Sequence, residues 1–434
     1  MIPKCKLLFR LKCYSAVMQR LIVLGSLLRD LLVMPFALLL PRQRRKIVFG
    51  AWSGKSFSCN PKYLFTYMCQ RGGFTCVWIG EEALRAQVEA VPGAKFARKG
   101  SLAACWHYFT ARFMVSNVNC YDDILWLPMC RRATIIYTSH GYPDKKAETQ
   151  FNGHGEEKTL DVKRSWLRRV AREGLIRFRS FLYPRAAWSS ASSPQGDKLR
   201  VEGQPSRLAM ARMLHAGTPR ADYIIGNRDN AALKAELRAK YAKLLGVSTE
   251  KRWILFVPTW RHDPSYLFSF STSKRAAVWQ TFLKAQNAVI IEKQHPKTVR
   301  EGHVAGGRFE NVCVVTQEQN AQIDTQELLL ASDVLITDYS SVYYDFYLMN
   351  RPVIHFTYDF QHAYEQDFGF DFDIRDYGGG PFAYTEVELQ TFMAMSDGEL
   401  LSRRNAKTQE QLSYETGHAC EAYYRLFKTL SEEA

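Results

Sequence analysis

The sequence predicts an α/β protein built from two Rossmann-like sheets. Three observations lead there. From Lys46 onward, apolar runs of strand length alternate with stretches patterned like helix faces. Residues 332–356 form a strand–turn–helix–strand unit of the kind α/β sheets repeat. In the second half of the chain, three polar motifs each follow directly on an apolar run. They therefore fall at the carboxyl ends of strands in one sheet, where α/β proteins bind ligands.

Composition narrows the class. At 434 residues the chain can bury two ordinary domains, and 47% hydrophobic with 23% charged residues is a globular balance. The net charge of +15 is unusual, and the first 60 residues supply +10 of it, with eleven Lys or Arg against Asp30 alone. Such a charge implies an anionic partner. No helix-turn-helix, zinc-finger or RNA-recognition pattern is present, so nucleic acid is not expected. The ten cysteines are scattered without CxxC or metal-ligand spacing, as expected of thiols in a reducing compartment.

Residues 1–46 read as a basic and apolar membrane-associating segment. Lys and Arg flank an apolar run from Leu21 to Leu40, but Arg29 and Asp30 sit inside it and Pro35 follows. A central charge pair is costly in hydrocarbon. A surface segment is favoured, with a membrane span and a helix packed on the protein as alternatives. Residues 47–222 read as the first Rossmann-like domain. Its strands are expected at Ile47–Phe49, Cys76–Ile79, Phe113–Ser116 and Ala133–Tyr137, with a helix through Tyr63, Leu64, Tyr67 and Met68. The loop from His140 to Lys146 follows the last of these strands. That placement allows His140 a functional role, or that of a structural turn histidine. Residues 163–185 segregate Leu and Phe from Arg on a helical wheel, which suits an anionic membrane surface or a solvated basic face.

Residues 223–434 read as the second domain. A Lys/Ala-rich helix is expected over Asn227–Leu245, then strands at Trp253–Val257, Ala288–Glu292, Val312–Val315 and Val334–Ile336. The first of these ends at Pro258-Thr259-Trp260-Arg261, the second at Lys293-Gln294-His295-Pro296, and the fourth at Asp338-Tyr339-Ser340-Ser341. Two serines at a helix start add hydroxyl donors to unpaired backbone amides, which makes a phosphate cradle. Asp and Ser are equally favoured as plain helix caps. Residues 386–430 read as largely helical. Asp371-Phe372-Asp373 has the spacing of a metal-binding DxD, but that spacing is common, and neither a metal nor a cofactor is expected.

The stretch from Ser332 to Asp345 resembles the signature of the CDP-glycerol glycerophosphotransferase family, which primes and polymerises teichoic acids and related capsule polymers. Similar blocks occur in order: Gly54 to Lys62, His140 to Lys146, Gly217 to Asp222, Pro258 to Arg261, Lys293 to Pro296, and Asp324 with Glu327-Leu328-Leu329. Tyr142 and Asp144 stand where the family motif usually carries shorter or aliphatic residues, a difference that bears on the acceptor.

The resemblance implies a GT-B arrangement, with the acceptor on the first domain and the nucleotide donor on the second. The implied reaction moves glycerol phosphate, or a related alditol phosphate, from CDP-glycerol or another CDP-alditol to a hydroxyl of a lipid-linked or polymer acceptor. CMP leaves, at the anionic inner surface of the cell membrane. His140 is expected as the base and His295 beside the diphosphate. Substrate contacts are expected from Gly141, Arg261, Lys293, Ser340 and Ser341. Asp338 and Asp345 are expected to orient the signature loop, since a bare carboxylate would repel a diphosphate. Two rival readings are a nucleotide-sugar glycosyltransferase of the same fold and a non-catalytic membrane-surface protein. The His, Arg and Ser-Ser motifs argue against the second.

Overall fold

The computed structural model describes residues 21, 24–142, 174–175, 177–203, 211–261, 263–295, 298–299, 302, 307–363 and 373–433. The first sheet is formed by β1 (Gln43–Phe49), β2 (Thr75–Gly80), β3 (Lys95–Arg98), β4 (Ala111–Ser116), β5 (Thr134–Tyr137), β6 (Trp188–Ser190) and β7 (Arg212–Leu214). Their order is β3-β2-β1-β4-β5-β6-β7, and every pairing is parallel. The second sheet is formed by β8 (Arg252–Val257), β9 (Ala288–Glu292), β10 (Gly307–Phe309), β11 (Val312–Val314), β12 (Val334–Thr337), β13 (Val353–Phe356) and β14 (Phe382–Ala383). Its order is β10-β11-β9-β8-β12-β13-β14, parallel except for β10.

Both sheets reverse direction of winding at a central strand, β1 in the first and β8 in the second. Chains leaving neighbouring strands in opposite directions open a crevice at the carboxyl edge. The three polar motifs of the second half leave β9, β8 and β12, which are adjacent, so the expected convergence is present.

Local sequence explains the framing helices. The Asn230 side chain accepts from Leu233 N and starts the helix Ala231–Leu245, and Gly246 ends it in the left-handed conformation at φ 68°. The helix expected from Asn227 starts later, at Ala231, because Pro219–Asn227 forms its own helix and the turn before Asn230 separates the two. Asp324 caps Thr325–Ala331 by accepting from the Gln326 and Glu327 amides. Strands β8, β9 and β12 are buried nearly throughout, as expected of a parallel sheet covered on both faces.

Two expected boundaries shift. Strand β1 begins at Gln43, inside the basic stretch, because Lys46 is buried and donates to Thr110 Oγ1 at 2.7 Å. The last helix, Ala419–Glu432, expected in the second domain, packs on the first sheet. Its apolar stripe of Cys420, Tyr423 and Phe427 joins the core around Ile47, Phe49 and Phe113. Residues 24–39 form a helix lying on the first domain, with Ala37, Val33 and Met34 packed against it. Asp30 is buried there and accepts from Arg29 and from the Tyr183 hydroxyl at 2.7 Å. The charge pair in the apolar run is thus satisfied by protein. The opposite face leaves Leu24, Leu28, Leu32, Phe36 and Leu39 exposed. No helix among the described residues is long and apolar enough to cross a membrane. Residues 1–20, Pro143 to Lys146, and 163–173 of the basic stretch 163–185 lie outside the described residues.

Candidate functional site

The His140 loop is held from below by its own sheet. The amide and hydroxyl of Thr138 both donate to Ser116 O, at 2.8 and 3.0 Å. Asn60, at the start of the helix Cys59–Arg71, donates from its amide to Thr138 O and Ser139 O at 2.8 and 3.0 Å. Ser139 turns the chain with φ at 58°, and His140 emerges exposed. Its Nδ1 lies 3.3 Å from Asn117 O, and its ring stands 5.1 Å from that of Trp52. A carbonyl can only accept, so in the neutral imidazole Nδ1 carries the hydrogen and Nε2 is the basic nitrogen.

The signature turn of the second sheet closes against this loop. A Cβ built on Gly141 would come 2.9 Å from Ser341 Oγ, so the two loops approach closely here and a side chain at this position would push the serine hydroxyl aside. Ser340 and Ser341 are half-buried at the start of the helix Val342–Leu348. Ser341 stands at the cap position, yet its side chain makes no capping bond, and Ser340 Oγ reaches the Val342 amide only at 3.5 Å. The hydroxyls are thus not consumed as caps.

Arg220 ties the two halves together. From the helix Pro219–Asn227 it donates through Nη1 to His140 O at 2.5 Å and through Nε to Asp345 Oδ1 at 3.1 Å. Tyr142 donates to the same carboxylate at 3.3 Å, and the Arg220 guanidinium lies over its ring. All three are buried. Burial pushes the Asp345 carboxyl up, and Arg220 pulls against it. Asp345 therefore fixes the relation of the two loops and does not face the crevice.

Asp338 and Arg261 form a second buried unit. Asp338 Oδ1 accepts from the amide and hydroxyl of Thr259, both at 2.8 Å, across the β8–β12 crevice. Its Oδ2 lies 2.8 Å from Arg261 Nη2. Arg261 also donates to both oxygens of Asp359, at 2.7 and 3.1 Å, and to Thr259 O at 2.8 Å. Arg261, expected at the diphosphate, is buried and already ion-paired with two carboxylates. The buried His355 ring stacks at 4.4 Å on Phe382, with Nδ1 3.1 Å from Asp338 O and Nε2 accepting from the Gly379 amide. Burial pushes its pKa down to about 4, so it supports the loop as a neutral ring.

Lys293 leaves β9 toward the same crevice. Its side chain is buried, and no described residue hydrogen-bonds or ion-pairs with its ammonium. Burial pushes it down to about 8, with Asp324 opposing. Asp324 is itself engaged across the crevice, 2.8 Å from Lys62 Nζ and accepting from the Tyr63 hydroxyl at 2.8 Å. Burial works against the Lys62 charge, but Asp324 and Glu327 hold its pKa above the ordinary range. His295 is exposed at the end of the same strand segment. In the DxD stretch, Asp371 and Phe372 lie outside the described residues, while Asp373 pairs with Arg375 at 2.5 Å. No group of His, Cys, Asp or Glu that could hold a metal ion occurs among the described residues.

His140, Gly141, Ser340 and Ser341 are therefore brought together, Lys293 and His295 stand past the end of β9, with β8 between it and β12, and Arg261, Asp338 and Asp345 are buried in ion pairs. Sequence reasoning assigned no role to Arg220, Asn60, Tyr142 or Asp359. Their partners are distant in sequence, and only the buried position of an arginine in a Gly-Thr-Pro turn could have marked Arg220.

Comparisons with known proteins agree with this architecture. The family model of CDP-glycerol:poly(glycerophosphate) glycerophosphotransferases matches residues 32–428. A teichoic acid poly(glycerol phosphate) polymerase of Bacillus spizizenii is 27% identical over 359 residues, covering 81% of this chain and 83% of that protein. The corresponding polymerase of Bacillus subtilis is 26% identical, and the match covers 80% of this chain but 43% of that longer protein. The solved wall teichoic acid polymerase TagF superposes with a TM-score of 0.69 at 21% identity, covering 98% of both chains. That likeness shows the fold, GT-B-like with two parallel sheets facing a cleft. By the extent of the family match, this chain belongs to the CDP-glycerol:poly(glycerophosphate) glycerophosphotransferase family.

Proposed function

We propose that the chain transfers glycerol phosphate from CDP-glycerol to a hydroxyl of a membrane-linked acceptor, releasing CMP, in teichoic acid synthesis. The observation that supports this reading is the close approach of Gly141 to Ser341, which brings the loop of His140 beside a turn whose serine hydroxyls are not used as caps. In this reading His140 Nε2 takes the proton of the acceptor hydroxyl. The acceptor oxygen attacks the phosphorus that bears glycerol, and the bond from that phosphorus to the CMP oxygen breaks. Ser340, Ser341, Lys293 and His295 stabilise charge on the transferring group and on CMP. Arg261 and Arg220 are positioning residues. They fix Asp338 and Asp345, and through them the signature turn and the His140 loop.

The exposed leucine face of helix 24–39 supports a peripheral seat on the cytoplasmic membrane surface, with the positive charge of the first 60 residues drawing it to anionic lipid. Leu28→Glu with Leu32→Glu should release the protein from anionic phospholipid vesicles in flotation, and retention of this double variant would contradict that seat. For the reaction, purified protein is incubated with CDP-glycerol, CDP-ribitol or a UDP-sugar, with lipid-linked acceptor. CMP release from a CDP-alditol, coupled to acceptor growth, is expected. Use of the UDP-sugar alone would support a glycosyltransferase.

A further inference from the structure

A cavity of about 240 Å³ opens on the first sheet beside the His140 loop. It is lined by Ser116, Tyr121, Tyr137, Tyr183, Pro184 and Arg185, among others. Ser116 and Tyr137 are register partners at the carboxyl ends of β4 and β5. Each continues directly into the catalytic loops. Asn117, whose carbonyl meets the His140 imidazole, follows Ser116, and Thr138-Ser139-His140 follows Tyr137.

The lining has an unusual polar character. Ser116 is 1% exposed and Tyr137 is 4% exposed, yet no described residue hydrogen-bonds either hydroxyl. Neither hydroxyl is shut off from solvent, so both can bond a group that enters the cavity. The other tyrosines are committed: Tyr121 donates to Pro184 O at 2.8 Å, and Tyr183 donates to Asp30 at 2.7 Å. Their rings meet edge to face at 4.9 Å and, with half-exposed Trp126, form an aromatic wall. Arg185 is exposed, and no described residue pairs with its guanidinium. The Tyr183–Asp30 bond joins this wall to helix 24–39, whose outer face is apolar.

We propose that this cavity is the acceptor subsite, holding the polyol unit next to the reacting hydroxyl. This rests on the transferase reading above. Ser116 and Tyr137 would bond hydroxyls of that unit, the tyrosine rings would pack on its C–H faces, and Arg185 would meet the adjoining phosphate. The volume is below that of ordinary drug-sized pockets, which suits one sugar or alditol unit. The apolar helix face beyond Tyr183 leaves a lipid tail on the membrane side of the same wall.

Two acceptors share this chemistry: the terminal glycerol phosphate of a growing chain, and the sugar of a lipid-linked disaccharide. Calorimetric titration of the full chain with an octyl-tailed di(glycerol phosphate) and with an octyl-tailed disaccharide diphosphate separates them. Tyr137→Phe and Ser116→Ala should each weaken binding of the cognate probe about two- to tenfold. CDP-glycerol affinity and melting temperature should stay unchanged. Arg185→Gln, at an exposed position with no folding role, should weaken the same probe and lower the salt dependence of binding. The probe that responds identifies the acceptor. Wild-type protein that binds neither probe, or variants that bind both as wild type does, would overturn the subsite. Probe binding lost in the variants while wild type releases no CMP from CDP-glycerol would leave the subsite standing and remove the transferase reading. Turnover that persists with probe binding unmoved would do the reverse.

Discussion

Lys293 is the group in the cleft whose charge the fold leaves open. Burial holds its ammonium at about 8, and no described residue compensates it directly. A bound diphosphate would favour the charged form and raise that pKa. Donor binding between pH 8 and 9 should therefore take up a proton. Calorimetry in buffers of different ionisation enthalpy measures this uptake, and Lys293→Met should abolish it. Uptake unchanged in that variant would place the proton elsewhere. Ser340 and Ser341 make a second prediction at this scale. Their helix has only seven residues, and their hydroxyls make little capping contact, so a stability role is small. Ser340→Ala with Ser341→Ala should weaken CDP-glycerol roughly 10- to 1000-fold, from two bonds to charged oxygens. Cytidine, with no phosphate, should lose far less. Equal losses for both ligands would contradict a phosphate cradle.

Among the elements, the segment leading into the last helix acts as a latch. Glu415 accepts from the amide and hydroxyl of Thr218, at 2.8 and 3.1 Å, one residue from the left-handed Gly217. Asp222 accepts from the Ala419 and Cys420 amides and seats the helix that follows. Burial pushes the Glu415 carboxyl up to about 8 and that of Glu292 up to about 7. Both groups bind a proton in the folded chain that the unfolded chain has lost, so they reduce stability as pH rises from the ordinary carboxyl range to these values. His355 and His107, both held down to about 4, act in the opposite sense below the ordinary histidine value of about 6.5. Between pH 6.5 and 8 the carboxyl effect stands alone, and the melting temperature should fall. Glu415→Gln should flatten that fall in scanning calorimetry, and an unchanged slope would contradict the assignment. The same elements show what sequence can carry. β9 matched its expected bounds, because its run of Val and Ile has one reading in a buried parallel sheet. β6 and β7 were not foreseen, because Trp188-Ser189-Ser190 and Arg212-Met213-Leu214 are three residues each, and neighbouring strands decide their conformation.

For the whole molecule, the fold class and the His140 and Ser340–Ser341 loops were legible, since each motif is contiguous and sits at a strand end. The contacts that join them were not. Lys62 meets Asp324 across 262 positions, and Arg220 meets Asp345 across 125, so no local pattern records either pair. Arg261 shows the same limit. Its motif marked it as a cation near the site, but only the arrival of Asp338 and Asp359 from two other strands reveals that its charge is already matched. We propose that the two sheets close a phosphotransfer site around His140. It is tested most directly by CMP release from CDP-glycerol with lipid-linked acceptor, for wild type and His140→Ala, alongside donor affinity. Turnover should fall by ~10²–10⁴ with donor affinity and melting temperature intact. Turnover of His140→Ala near that of wild type would contradict the account.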